Sequence, residues 1–352
     1  MKFPGLIRPL YDETYHSWLF RCAIQPSVCL ISEREIYTWV AEDFRNSIHQ
    51  YSSLGVEFDF NESPGTEIAS RLGFNKKYLI TFFGHRSNFL LSPSYRVAYC
   101  HLCIASDVRG KKFPAWRKSW CYITDTYCVR HHCLLSHIDE FKTVDKQWGA
   151  FVTGNVGDYI QGRRSSYYRH QHGLAPSKAR AWLTLRVQKW VHNLYLESRS
   201  ILFGKKNSMT HNSMINAVYF MLRMLLSPKT DRAPAGVARD IFTNVCPVTV
   251  HKPLLLPERL RYGAVHSVPY ERMCAMLLIG VIFRVFTNAE LILLNNTLEK
   301  DDFSIPNVTR DLGVLCAAHV NPDEHKDLKK LIRAMGGASC FHKDFLNGLI
   351  HT

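Results

Sequence analysis

Apolar residues recur every three to four positions along most of the chain, a spacing typical of amphipathic helices. Near the N-terminus, Trp18, Leu19 and Cys22 share one such stripe. Acidic residues stand just before it, where they suit the positive end of a helix dipole. We therefore predict a helix that begins near Thr14, with Arg21 solvated on its outer face. A second helix is predicted over residues 32–44.

A pair of short helices is predicted over residues 64–83. Thr66 is the expected cap of the first helix, Gly73 permits the turn, and Lys76 and Lys77 open the second helix. In a helix-turn-helix motif, the start of the second helix faces DNA. The two lysines are therefore candidate nucleic-acid contacts, although an ordinary packed helix corner needs the same small residues.

A long helix is predicted to begin near Ser177. Its apolar stripe leaves Arg186 and Lys189 on another face. The stripe consists of Leu183, Val187, Trp190 and Leu194. Strongly apolar helices are also predicted over 212–226 and 270–294, joined by extended turns in a proline-marked region.

The C-terminal part of the chain predicts a helix pair over residues 309–319 and 322–335. Asn321 is the expected cap of the second helix. The pair is a second helix-turn-helix candidate. Its charged outer face is also typical of a solvated surface.

These patterns predict a mainly α fold with three domains. A helical N-terminal domain with the helix-turn-helix candidate covers 1–94, and a small zinc-ribbon-like module is inserted at 95–140. A basic segment and a helical C-terminal domain cover 141–352. Residues 92–96 are the expected linker into the module. The longest uncharged run in the most apolar helix is too short to cross a bilayer, so we expect a cytoplasmic protein without a membrane span.

Residues 99–135 contain five of the eleven cysteines. Cys100 and Cys103 are spaced C-x2-C, and Cys128 and His131 are spaced C-x2-H. Two such pairs can complete a tetrahedral zinc site. We therefore predict one structural Zn²⁺ per chain, in a module of short strands and turns.

Three alternatives to this ligand set remain open. Cys133 competes with His131 for the fourth position. Free cysteines are also common in protein cores, and a disulfide is conceivable, although the odd number of cysteines and the absence of a signal peptide disfavour it.

A catalytic zinc ion would need three protein ligands, a water and a nearby base. The H-x-E and P-C-x-x-C signature of zinc deaminases is absent, and Tyr99 stands where its proline would be. We therefore expect a closed structural site in a protein that is not an enzyme. A zinc-dependent nucleic-acid enzyme is the disfavoured alternative.

The net charge of +14 favours anionic partners, most often nucleic acid. Between residues 161 and 206, ten lysines and arginines stand against one acid. The candidate nucleic-acid or partner contacts in this segment are Arg163, Arg164, Arg169, Arg186 and Lys189. In the zinc module, Trp116 and Trp120 are expected to form a small core. The alternative is that the basic and aromatic residues of this module, Arg117 included, bind nucleic acid through phosphate contacts and stacking.

Two separated motifs resemble the TniQ family. Its zinc-finger signature is matched, after Cys100 and Cys103, by Gly110, Phe113, Trp116, Arg117, Trp120, Cys128, His131 and Leu135. Its opening pattern is matched by Pro9, Glu13, Ser17, Trp18 and Arg21. The chain has no cysteine between His137 and Cys246, so a second zinc module that some relatives carry is absent or lacks its metal.

The resemblance implies a target-site selection subunit of a bacterial DNA transposition system, which recruits a TnsC-like AAA+ regulator and does not cut DNA. In one branch, the protein joins a CRISPR effector (Cascade) of Cas proteins and guide RNA, and forms homodimers. In the other branch, resembling TnsD, it binds a chromosomal attachment site directly. The moderate length and the missing second cysteine cluster favour the CRISPR-associated branch, while the basic segment keeps the other open.

Overall fold

A computed structural model describes most of the chain. The described residues are 6–24, 59–61, 65–85, 89–138, 146–152, 177–201, 208–240, 249–299, 304–306, 308–334 and 343–350. The helix predicted over 32–44 lies outside them, as does the N-terminal part of the basic segment, residues 161–176. The chain divides into two compact units, 1–125 with 135–162 and 126–134 with 163–352. The three-domain division stays a prediction.

Where the structure describes it, the first unit consists of short helices and one two-residue ladder. Its helices are α1 (Tyr15–Ala23), α2 (Gly65–Arg71), α3 (Lys76–Phe83) and α4 (His101–Arg109), and residues 146–152 are also helical. Strands β1 (Ala98–Tyr99) and β2 (Ser136–His137) pair antiparallel, with Ala98 opposite His137. The predicted mainly α fold is confirmed.

Helix α1 begins where the sequence predicts. The hydroxyl of Thr14 accepts a hydrogen bond from the backbone N–H of Ser17 at 3.4 Å and caps the helix. Trp18, Leu19 and Cys22 are completely buried, which confirms the predicted apolar face. The prediction of a solvated Arg21 is wrong, because only 7% of this residue is exposed.

The predicted corner between α2 and α3 is present. Gly73 has a φ of +65°, a conformation that side chains with a Cβ rarely adopt. Asn75 caps α3 by accepting a hydrogen bond from the N–H of Lys77 at 2.8 Å. The expected cap at Thr66 is wrong, because α2 already begins at Gly65.

Residues 92–96 are not a simple linker. Pro93–Tyr95 forms one 3-10 turn, and the side chain of Arg96 is buried. Its guanidinium donates to both carboxylate oxygens of Asp59, at 2.9 and 2.7 Å, and to the carbonyl of Leu91 at 2.8 Å. An ion pair therefore fixes this segment within the unit.

The second unit is a larger set of helices. They are α5 (Lys178–Ile201), α6 (Ser208–Leu225), α7 (Val237–Asp240), α8 (Leu256–Val265), α9 (Pro269–Ile282), α10 (Asn288–Glu299), α11 (Thr309–Ala318), α12 (His325–Ala334) and α13 (Lys343–Ile350). Strands β3 (Lys229–Thr230) and β4 (Thr249–Val250) pair in parallel. Helix α5 packs against α6, α9 and α10.

The apolar stretch at 270–294 is two helices, not one. The chain leaves α9 through Arg284, which has a φ of +53°. The backbone N–H of Thr287 then donates to the carboxylate of Glu290 at 2.6 Å, which starts α10. Helix α8 was not predicted, because prolines surround it; Pro257 occupies its first turn, where a proline is tolerated.

No single helix among the described residues is long and apolar enough to cross a membrane. Helices α8 and α9 would be long and apolar enough only together, and a bend of 115° separates them. Most of α9 is buried inside its unit.

The predicted features of α5 and the C-terminal helices are largely present. Leu183, Val187 and Leu194 are buried, whereas Arg186 and Lys189 are exposed. Asn321 caps a 3-10 turn (Pro322–Glu324) that leads into α12.

Candidate functional site

The first pair of candidate metal ligands lies at the start of α4. Cys100 follows β1 directly and occupies the N-cap position, and Cys103 lies in the first turn of the helix. The N–H of Cys103 donates to the sulfur of Cys100 at 3.4 Å. The predicted module of strands and turns is therefore wrong at this point, because a helix begins immediately after the first cysteine.

The second pair lies in a tight turn between residues 128 and 133. The N–H of His132 donates to the carbonyl of Cys128 at 2.8 Å, and the N–H of Cys128 donates to the carbonyl of Cys133 at 2.9 Å. His132 has a φ of +51°. This left-handed residue reverses the chain, so that Cys128 and His131 can offer their ligand atoms on the same side of the turn.

The structure brings the four predicted ligands together. One ligand atom from each of Cys100, Cys103, Cys128 and His131 lies within 4.8 Å of all the others. The Cys128 sulfur and the Nδ1 of His131 are 3.6 Å apart. Bond lengths of about 2.0 to 2.3 Å in a tetrahedral site place ligand atoms roughly 3.3 to 3.8 Å apart. The group therefore fits one metal ion after a small contraction.

The burial of this cluster suits a closed metal site. The three cysteines are buried and His131 is half-buried. Three sulfurs and one imidazole form one of the ligand sets of structural zinc sites. Because all four positions would be filled by protein, the arrangement leaves no place for a reacting water.

Other cysteines in the described residues have different surroundings. Cys133 is half-buried and is not part of the four-residue group. The thiol of Cys121 lies 3.5 Å from the carbonyl of Arg117, to which it donates. Burial raises the pKa of the thiols of Cys22 and Cys316 to about 12. These two thiols therefore stay protonated and contribute to the core.

The two tryptophans of the module are core residues, as predicted. Trp116 is completely buried, Trp120 is 2% exposed, and their rings meet edge to face at 5.5 Å. Arg117 does not extend to solvent. Its Nη2 donates to the carboxylate of Asp107 at 2.5 Å, and its Nη1 donates to the carbonyl of Tyr11 at 2.8 Å. The alternative, in which Arg117 binds nucleic acid together with the aromatic residues, is therefore wrong.

The N-terminal motif residues form a buried hydrogen-bond network. The carboxylate of Glu13 accepts from Arg21 at 2.6 Å, from the N–H of Leu10 at 2.7 Å and from the hydroxyl of Ser17 at 3.1 Å. Burial raises the pKa of Glu13 although Arg21 and these donors oppose the shift. The network therefore surrounds a buried carboxyl with hydrogen-bond donors inside the first unit.

This network extends to the tryptophan segment. The N–H of Trp116 donates to the hydroxyl of Ser17 at 2.9 Å, and the N–H of Thr14 donates to the carbonyl of Trp116 at 2.9 Å. Residues that are a hundred positions apart in the sequence are thus joined in one structure. Spacing along the sequence gave no signal of these partners.

The structure separates the candidate nucleic-acid residues into two groups. Lys76 and Lys77 are exposed at the start of α3, in the first unit. Arg186 and Lys189 lie together on α5 in the second unit, and Arg186 pairs with Glu290 at 3.0 Å. Candidates outside the described residues are Arg163, Arg164 and Arg169.

Comparison with family models gives a match to the N-terminal part of the chain. The model of the TniQ family matches residues 4–135. The matched segment contains both the N-terminal network and the four candidate metal ligands. No curated protein and no solved structure matches the chain significantly.

Proposed function

Residues 4–135 of this chain are a TniQ domain, and from that premise we propose that the protein is a non-catalytic target-site selection subunit of a DNA transposition system. The observation that carries this proposal is the coincidence of the family match with the buried four-ligand cluster. Protein side chains supply all four ligands of this cluster, which suits a structural metal ion and not a catalytic one.

The metal in this proposal is one Zn²⁺ ion per chain. The three thiolates and one imidazole suit zinc, which favours tetrahedral sulfur and nitrogen ligands. When bound, the ion contributes free energy of folding by joining the helix start at Cys100 to the turn at Cys128. The proposed subunit therefore uses zinc to hold a surface in place.

The proposed partners are a CRISPR effector complex of Cas proteins and guide RNA, DNA, and a TnsC-like AAA+ regulator. In such a system, base pairing of the guide RNA selects the site. We also propose a homodimer in the cytoplasm. The single cysteine cluster in residues 99–135 supports this branch.

Co-expression tests the proposed association. The tagged chain is produced with the CRISPR effector encoded nearest to its own gene, and is recovered by affinity purification. We expect Cas proteins and guide RNA to be recovered in constant ratio to the chain. A matched sample without guide RNA is the control. Recovery of the folded chain alone would contradict the association.

Direct DNA reading is the second candidate function. The observation that favours it is the corner between α2 and α3, which exposes Lys76 and Lys77 at the start of the second helix. A sequence-specific shift of one DNA site by the purified chain at physiological salt would support this candidate, if Lys76→Gln with Lys77→Gln abolished it. The matched control replaces the exposed Lys111 and Lys112, which lie outside the helix pair.

A zinc-dependent enzyme makes a distinct prediction. Hydrolysis or deamination of nucleic acid by the purified chain, abolished by Cys100→Ala, would overturn the non-catalytic proposal. We expect no such activity in protein free of transposase.

A further inference from the structure

A cleft of about 670 Å³ lies along one face of helix α5. Ala181 and Leu185 contribute apolar surface, and Trp182 stands beside them with 50% of its surface exposed. The turn that carries His131 and His132 also lines the cleft. A volume of this size is typical of ligand sites.

The residues that line the cleft are basic. Lys178, Arg186 and Lys189 are exposed, and no carboxylate among the described residues lines this space. Arg186 is partly neutralised, because it pairs with Glu290 at 3.0 Å. The two lysines lie eleven residues apart on the helix, which corresponds to about 16 Å. The charge therefore extends along the cleft and suits an extended anion.

A second cavity continues this basic surface. It has a volume of about 510 Å³ and shares Arg186 and Lys189 with the first cavity. Trp190 and Arg284 lie in its lining. The two spaces together follow α5 for several turns. We therefore expect an extended polymer as the occupant and not a compact small molecule.

The exposed Trp182 narrows the class of ligand. A tryptophan face beside lysines is the arrangement by which proteins bind unpaired bases, with the base stacked and the phosphates near the cations. The bases of a duplex are paired and stacked on each other, so a duplex would offer no free base face to this ring. We propose that the α5 cleft binds single-stranded nucleic acid, with a base on Trp182 and phosphates near Lys178 and Lys189.

The test of this site is separate from the test of the association with an effector or a regulator, because it uses the purified full-length chain alone. Binding of a fluorescein-labelled 12-nucleotide RNA, and of DNA with the same sequence, is measured by anisotropy. We expect Trp182→Ala to weaken binding about tenfold, a stacking effect that Trp182→Phe largely restores. Lys189→Gln should lower the slope of log affinity against log salt by about 0.7.

Leu196→Ala is the matched control, because Leu196 is also 50% exposed on α5 but does not line either cavity. We expect it to bind like the wild type. Tighter binding of RNA than of DNA would identify the 2′-hydroxyl as a further contact, and equal binding would identify the shared backbone and bases as the ligand. Wild-type affinity in both Trp182→Ala and Lys189→Gln, with the fold intact by circular dichroism, would overturn the proposal. Competition by a duplex as strong as by a single strand would overturn it as well.

Discussion

Three arginine side chains of the first unit are buried. The sequence had suggested that Arg21 is solvated, that Arg96 belongs to a linker and that Arg117 could contact nucleic acid. Arg21, Arg96 and Arg117 each pair with a carboxylate within the unit. The paired acids are 8, 37 and 10 residues away in the sequence. A buried arginine is tolerated when its charge is paired and hydrogen-bonded. These residues therefore stabilise the domain and are unavailable to a partner.

Replacement of Arg21 tests this interpretation. Arg21→Ala leaves the carboxylate of Glu13 buried without its cation, so we expect a loss of about 3 to 5 kcal/mol in the free energy of unfolding. The measurement is urea unfolding of the purified chain. Arg8→Ala is the control, because Arg8 is exposed in the same segment. A loss below about 0.5 kcal/mol, the usual range for a surface residue, would show that Arg21 is solvated.

The ionisation of Asp59 should make the stability of the first unit depend on pH in the acidic range. Burial opposes ionisation of this carboxyl, but the hydrogen bond from His85 and the ion pair with Arg96 hold its pKa well below the ordinary value. A depressed pKa contributes stability above the pKa of the unfolded chain, about 4. That contribution is lost as the pH falls through the lower pKa of the folded state.

The variant Asp59→Asn should therefore be much less stable than the wild type at pH 7. The difference between their urea midpoints should shrink as the pH is lowered from about 4 towards 2. Asp323→Asn, at an exposed carboxylate, is the control and should show a small difference at every pH. A constant difference for Asp59→Asn across this range would contradict the ion pair.

At the scale of elements, the strongly periodic helices were predictable and the short or interrupted ones were not. The apolar stripes of α1 and α5 identify those helices. Helix α5 buries the face that carries its stripe, whereas residues 15–22 of α1 are buried on every side. Helix α4 was missed because its sequence is dominated by the cysteine pair at its start. The break after α9 was also missed, because apolar residues continue through Phe283 and Val285 and hide the left-handed Arg284.

The contact between α11 and α13 was not predictable, because it depends on two glycines in separate helices. A Cβ at Gly313 would lie 2.1 Å from the carbonyl oxygen of Phe345, and a Cβ at Gly348 would lie 2.0 Å from that of Arg310. The two backbones therefore approach each other more closely than any larger residue allows.

Gly313→Ala should separate these helices. We expect a loss of about 1 to 3 kcal/mol in stability, the usual cost of overpacking. Val314→Ala is the neighbouring control, because Val314 is 39% exposed on the same helix. Thermal unfolding followed by circular dichroism compares the two variants. Equal melting temperatures for Gly313→Ala and the wild type would contradict the close approach.

At the scale of the whole molecule, the candidate metal ligands were easier to predict from the sequence than the α5 cleft beside them. Ligand spacing indicated Cys100, Cys103, Cys128 and His131, because two C-x2 turns can each present a pair of ligands to one ion, but it left Cys133 as a rival to His131. The structure groups His131, and not Cys133, with the three cysteines. The α5 cleft could not be predicted as a site, since it combines that helix with a turn about fifty residues earlier. Arg186 and Lys189 are candidates from the sequence, whereas the exposed ring of Trp182 beside them is visible only in the structure.

The metal content of the purified chain tests the central claim most directly. Elemental analysis should find about one zinc per chain in the wild type and in Cys133→Ser, and little zinc in Cys128→Ser. Loss of the metal should also lower the melting temperature, because ion binding contributes to folding. A wild-type chain that is folded and free of zinc would contradict a structural zinc site in the TniQ domain.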